Sequence, residues 1–161
     1  MGRVVDRPRL TMELAGPRAA GKTVVLTNGC FDLVHAGHVR YLREAASLGD
    51  LLVVGLNSDA SIRAFKEPGR PIVPQEDRAE LLAALEMVDF VVPFDEKTAE
   101  DLVAEVRPDV YVKGGDYTPE TLPEARIVEG YGGLVKLVRY HEGRSTTEII
   151  RRILAAYCPK P

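Results

Sequence analysis

The stretch Thr27 to Leu42, TNGCFDLVHAGHVRYL, sets two of the chain's three histidines three residues apart. His35 and His38 flank Ala36 and Gly37, and a turn-like run from Asn28 to Asp32 precedes them. Metal ligation, core burial and phosphate contact compete for such a pair. A zinc site takes about four ligands, three of them from protein when it is catalytic. His141 is the only other histidine, HExxH and CxxC are absent, and no carboxylates are spaced to complete a set. One buried imidazole would be ordinary. Two of them around a glycine where a helix starts are harder to assign to packing. Gly37 removes a side chain where something comes close to the backbone. The helix start offers free N–H groups and a positive dipole end to an anion. Imidazole donors beside that end suit a polyphosphate that gains charge as it leaves. The residues favour phosphate.

Strands must carry such a loop. Residues 23–28 (TVVLTN) form a short β-branched run of the kind found in buried parallel strands. Val39, Leu42, Ala46 and Leu48 keep a helical stripe closed by Gly49. A second strand is expected over 51–57, and a helix opening at Ser58 or Asp59 follows it. Residues 66–74, with three prolines, read as a loop that is basic at Lys66 and Arg70. A helix over 75–88, a third strand over 89–94 and a helix stopped by Pro108 come next. A fourth strand opens the run 109–117, a fifth spans 134–140, and the last helix covers 145–157.

Helices alternating with continuously apolar strands predict an α/β, Rossmann-like domain with a five-stranded parallel sheet covered on both faces. Residues 1–21 mix Pro, Gly and Arg without a period and read as a loosely ordered arm before a domain over 22–157. In such sheets ligands bind outside the carboxyl ends of the strands, where the strand order reverses. The polar loops after the first, fourth and fifth expected strands all lie at that edge.

Composition bounds the rest. A formal charge of −3 gives no basic bulk for nucleic acid. With 45% apolar and 28% charged residues, the chain reads as an ordinary globule. No apolar run nears the roughly 18 residues of a membrane helix, and the first residues lack a secretory h-region. Cys30 and Cys158 make no disulfide framework, so a reducing cytoplasm is the expected setting.

GCFDLVHAGHVRYLREAASLGD (29–50) resembles the HxGH signature of the cytidylyltransferase-like nucleotidyltransferases, and EGRSTTEIIRRI (142–153) their second signature. Residues 57–98 and PDVYVKGGDYTPE (108–120) look more specifically like the heptose 1-phosphate adenylyltransferase branch, the nucleotidyl-transferring half of bifunctional ADP-heptose synthesis proteins without the kinase half. The resemblance runs from about Lys22 to Leu154. It implies in-line attack of a sugar phosphate oxygen on the α-phosphorus of ATP carrying Mg²⁺, with pyrophosphate leaving and no covalent intermediate.

Carried over by position, it makes His35, His38 and Lys66 catalytic. Asn28, Gly29, Cys30, Phe31, Gly37, Arg78, Ser145, Thr146 and Thr147 would bind nucleotide. Asp32, Lys113, Gly114, Gly115 and Asp116 would face the acceptor. No protein-held metal is implied. Plainer readings stand beside several of these. Lys66 could be a solvated loop lysine, Arg78 could pair with Glu80 or Asp77, and Ser145 to Glu148 is a capping box. Asp32 could only brace its loop, Asp116 could be a turn residue, and Cys30 has no activating partner nearby in sequence.

The cytidylyl-transferring branch reads Arg-Thr-Glu-Gly before its Ser-Thr motif, where this chain has Tyr140-His141-Glu142-Gly143. It also tends to carry two aspartates where Gly115-Asp116 stands. Both departures point to ATP, although Arg139 or Arg144 could replace the missing charge. The alternatives are a CTP-dependent transferase acting on glycerol 3-phosphate or a similar alcohol phosphate, and a non-catalytic nucleotide-binding module. Relatives resemble homodimers, and pairing is expected beside the helix that follows the first expected strand.

Overall fold

The computed structural model describes residues 1–115, 118, 121–138 and 145–158. Among the described residues six strands form one parallel sheet: β1 (Arg3–Val4), β2 (Val24–Gly29), β3 (Leu51–Asn57), β4 (Phe90–Phe94), β5 (Val110–Gly114) and β6 (Leu134–Val138). Their spatial order is β1-β4-β3-β2-β5-β6. Every neighbouring pair runs parallel. Among the described residues six helices link the strands and a seventh follows β6: α1 (Arg7–Ala19), α2 (Ala36–Ala46), α3 (Asp59–Phe65), α4 (Gln75–Ala83), α5 (Glu100–Val106), α6 (Ala125–Gly130) and α7 (Thr146–Tyr157). Among the described residues no helix is long and apolar enough to cross a membrane.

The chain departs from the expected five strands at its start. Residues 1–21 are not a loose arm. Arg3 N–H donates to Asp89 C=O at 2.9 Å and Val5 N–H to Val91 C=O at 3.0 Å, which adds β1 to the edge of β4. Only glycine fits before it, because a Cβ on Gly2 would lie 2.4 Å from Val88 O. Asp6 then caps α1 by accepting from Arg9 N–H at 2.8 Å. Leu10 and Leu14, four residues apart on one helix face, are both 1% exposed. Two apolar contacts among Pro8, Gly16 and Pro17 were too sparse to show as a period.

The strands bury both faces, as continuous apolar runs require. Val24 and Leu26 enter one core cluster with residues of α1, α5 and α6. Val25 enters the other with residues of α2 and α4. Chain order reverses at β2. Its segment leads through α2 to β3 on one side, whereas β5, reached through α5, pairs with it on the other. That reversal opens a crevice at the carboxyl end of β2. Below it, Tyr41 OH donates to Val112 C=O at 3.1 Å and lies 2.5 Å from Thr27 Oγ1, fixing α2 to the sheet.

Candidate active site

A cavity of about 800 Å³ fills the crevice. Asn28, Gly29, Cys30, Phe31 and Asp32 reach it from the end of β2, and His35 and His38 from the start of α2. Lys66 enters from the loop after α3, and Lys113 and Gly114 from the end of β5. Ser145, Thr146 and Thr147 close it from the start of α7. These residues are distant in sequence, and the sheet brings them to one edge.

His35 is the N-cap of α2, and its Nδ1 accepts from Gly37 N–H at 3.1 Å. In the neutral ring the proton therefore sits on Nε2 as a donor. The His38 ring stacks on His35 with 3.9 Å between centroids and 21° between planes. Phe31 meets His38 edge-on at 5.1 Å. Burial first, and His35 second, lower the pKa of His38 to about 4, against a hydrogen bond with the Leu33 backbone. Its buried Nδ1 has no hydrogen-bond partner among the described residues.

Ser145 caps α7, its Oγ accepting from Glu148 N–H at 3.1 Å. The capping box is thus half made, because the Glu148 carboxylate turns to Arg151 at 2.7 and 2.9 Å. Lys66 follows α3 and is exposed. Its ammonium lies 5.7 Å from the Phe65 ring centroid. Two helix starts and one exposed cation therefore border the same space, a setting for a polyanion.

Several expected residues take other places. Asp32 borders the cavity, but its side chain is 0% exposed and ion-paired with Arg70. It also accepts from Ile72 N–H at 2.7 Å and Val73 N–H at 2.9 Å. Burial raises its pKa, and these bonds outweigh burial to hold it below the ordinary carboxylate value. Asp32 braces the loop that follows Lys66. Arg78 does not reach the cavity and is 0% exposed. Its guanidinium donates to the carbonyls of Val73 (2.9 Å), Cys30 (2.6 Å) and Asn57 (2.9 Å), and to Asp59 Oδ1 at 2.6 Å. It holds the β2 and β3 ends together from behind the cavity. Gly37 and Gly115 stand outside the cavity lining, and Asp116 lies outside the described residues, as do Arg139, His141 and Arg144.

Cys30 keeps its proton: burial raises its thiol pKa, against the pull of Lys66, Arg78 and Arg70. Lys113 donates to Asn28 Oδ1 at 2.9 Å, and Tyr111 OH reaches the same oxygen at 2.6 Å. Burial lowers the Lys113 pKa from its ordinary value. Gly114 leaves room for α2, since a Cβ there would stand 3.0 Å from Tyr41 Cε2.

Sequence reasoning missed Tyr41, Phe65, Lys97, Thr98 and Glu124, all of which line the cavity. Arg70 was visible only as basic charge in the loop. Lys97 and Thr98 follow the β4 end, a position that the switch-point rule could have flagged. Nothing local marks Glu124.

The cytidylyltransferase-like family profile matches residues 26–152. The chain belongs to the cytidylyltransferase-like family of nucleotidyltransferases. It is 60% identical over 140 residues to the bifunctional protein HldE of Syntrophotalea carbinolica, covering 87% of this chain and 29% of that protein. It is 58% identical over 144 residues to the HldE of Geobacter sulfurreducens, covering 89% and 29%. The chain thus spans about three-tenths of the length of these relatives. Among solved structures, the lipopolysaccharide core biosynthesis protein of Thermoplasma volcanium superposes with a TM-score of 0.64 at 31% identity, over 77% of this chain and 100% of that one. Pantoate-beta-alanine ligase of Francisella tularensis shares the fold, with a TM-score of 0.64 at 12% identity over 100% and 80%.

Proposed function

We propose that this chain transfers the adenylyl group of ATP to a sugar 1-phosphate, heptose 1-phosphate, giving ADP-heptose and pyrophosphate. The observation that carries the reading is the meeting of His35, His38, Lys66 and Ser145 to Thr147 around one cavity at the carboxyl end of β2. An oxygen of the sugar phosphate attacks the α-phosphorus in line. The bond to the bridging oxygen breaks, and its electrons leave with pyrophosphate. The phosphate oxygen is already an anion, so no base is needed, and positioning with charge stabilisation supplies the rate. Cys30, kept protonated, takes no part as a nucleophile.

His35 Nε2–H, the α7 start with Ser145, Thr146 and Thr147, and Lys66 hold the β- and γ-phosphates. His38, neutral at pH 7 when the cavity is empty, gains affinity for a proton when a triphosphate approaches it. It thereby meets the charge that grows on the leaving group. Among the described residues, no group of three or more His, Cys, Asp or Glu side chains is placed to hold a metal ion. The Asp32 carboxylate is already spent on Arg70 and two amides. On this reading Mg²⁺ enters on the triphosphate as part of the substrate, where it offsets charge.

The reading includes a homodimer. The end of α7 exposes Ile153, Leu154 and Tyr157 at 49%, 53% and 82%. A 12-residue helix with no buried residue is marginal alone. A two-fold related copy covers that stripe with its own. On this reading the copies pair through α7, a surface other than the one expected beside α2.

Pyrophosphate release with ATP, CTP, GTP and UTP, each with heptose 1-phosphate or glycerol 3-phosphate, tests the reading. Turnover with ATP and the sugar phosphate is expected. Turnover with CTP and glycerol 3-phosphate, and none with ATP, would replace it by the alcohol-phosphate alternative. Tight nucleotide binding without turnover on any pair would leave only a binding module.

A further inference from the structure

The histidines and Lys66 occupy one side of the cavity. The other side is formed where α5 and α6 begin, by Lys97, Thr98, Thr121 and Glu124, with Lys113 at its floor. Glu124 is 2% exposed. One carboxylate oxygen, Oε1, accepts from Ala99 N–H at 2.9 Å and so supports the start of α5. The other, Oε2, is buried with no hydrogen-bond partner among the described residues. A buried acceptor left unpaired carries a penalty on the order of 1–3 kcal/mol, more when charged. Capping α5 explains one oxygen only.

A carboxylate only accepts, so the missing partner is a donor. The neighbouring hydroxyls are committed elsewhere. Thr98 Oγ1 donates to Glu100 at 2.8 Å, and Thr121 Oγ1 donates to Thr118 C=O at 3.1 Å. The Lys113 ammonium donates to Asn28, and it sits close enough for the Glu124 charge to raise its pKa against burial. That cation lowers the cost of a carboxylate in a cavity that takes anions. No aromatic ring lines this side among the described residues; Phe31, Tyr41 and Phe65 lie on the other. A polyhydroxylated ring meets an acceptor and cations here, beside the apolar Leu122 and Pro123.

In-line displacement separates the two halves. The acceptor must approach the α-phosphorus from the side opposite the departing pyrophosphate. With pyrophosphate held by His35, His38 and Lys66, the acceptor's ring falls toward the α5 and α6 side. We propose that Glu124 is a specificity-determining residue whose Oε2 accepts a hydroxyl of the acceptor sugar. This rests on the sugar 1-phosphate reading above.

Steady-state kinetics of Glu124→Gln and Glu124→Asp, with each substrate varied in turn, test it. Gln keeps an oxygen for Ala99 N–H, so melting should stay within a few degrees of wild type. Asp keeps the charge but draws it back by one methylene. Both variants should raise KM for heptose 1-phosphate about tenfold or more, the scale of one good hydrogen bond, while KM for ATP stays within about twofold. Their preference for heptose 1-phosphate over glycerol 3-phosphate should fall by a similar factor. A rise confined to KM for ATP would assign Oε2 to the nucleotide and overturn the proposal. Unchanged kinetics with a lowered melting temperature would leave Glu124 as a cap alone, and would also overturn it. Wild-type protein inactive on ATP and heptose 1-phosphate would overturn both this and the underlying reading. Active wild type with unaltered variants overturns this inference only.

Discussion

The imidazoles of His35 and His38 stack 3.9 Å apart at the start of α2, so the two rings share one electrostatic environment. His35 is fixed by Gly37 N–H, and His38 is held neutral by burial and by its neighbour. A pair of this kind responds to an arriving anion, because negative charge favours the protonated ring that burial disfavours. If that response stabilises the leaving pyrophosphate, His38→Ala should lower kcat by about a hundredfold or more, the scale of losing a transition-state donor. ATP affinity should fall far less. Stopped-flow turnover beside calorimetric ATP titration separates the two. Near-normal kcat with unchanged melting would remove His38 from the chemistry.

The same burial makes stability depend on pH. The folded pKa of His38 is about 4 against an ordinary value near 6.5, so the unfolded chain binds more protons between them. Stability from this group is complete above pH 6.5 and is lost as pH falls toward 4, by roughly 3 kcal/mol at most. His38→Gln should flatten the fall in melting temperature over that window. Superimposable profiles for the two proteins would refute the assignment.

The strand pattern was legible because parallel strands buried on both faces read as unbroken apolar runs, as in Val24 to Leu26. HAGH was legible because its spacing and glycine are local. What escaped depends on partners far away in the chain. β1 is two residues held by carbonyls of the β4 segment, and Glu124 acquires meaning only from Ala99 and an open cavity. Arg78 read as a nucleotide ligand by resemblance, or as a helix ion pair with Glu80 or Asp77, yet its acceptors come from Cys30, Asn57 and Asp59, up to 48 residues away.

Arg78 leads to a stability prediction. Removing a buried cation strands the carbonyls of Cys30 and Asn57 and leaves Asp59 with a more distant partner, Arg63 at 3.7 Å. Breaking a buried pair costs about 3–5 kcal/mol. Arg78→Ala should therefore unfold at much lower denaturant, and Arg78→Lys should recover little, since one ammonium cannot match the planar fork. A variant that melts normally but loses ATP affinity would instead make Arg78 a nucleotide ligand.

The proposed dimer rests on the apolar end of α7. Light scattering should give about twice the 17.7 kDa of one chain. Leu154→Asp, placing charge at the centre of the exposed stripe, should halve that mass. A wild-type mass of one chain at micromolar concentration would refute the dimer.

Asp32 links the two halves of the phosphate side. Its carboxylate sits directly after the β2 end, while Arg70, Ile72 and Val73 belong to the loop that begins at Lys66. The bond network thus anchors the loop that begins at Lys66, although the Asp32 side chain itself is wholly buried. Asp32→Asn keeps the volume and one acceptor oxygen but removes the charge that holds Arg70. With the loop loosened, Lys66 should spend less time in place. If Lys66 holds phosphates in the ground state as well as the transition state, as proposed, KM for ATP should rise about tenfold, with a smaller fall in kcat. Asp32→Glu should not rescue it, since an extra methylene overfills a wholly buried site. An acceptor role gives a different outcome. KM for the sugar phosphate would then rise while KM for ATP held steady, and the brace would be refuted.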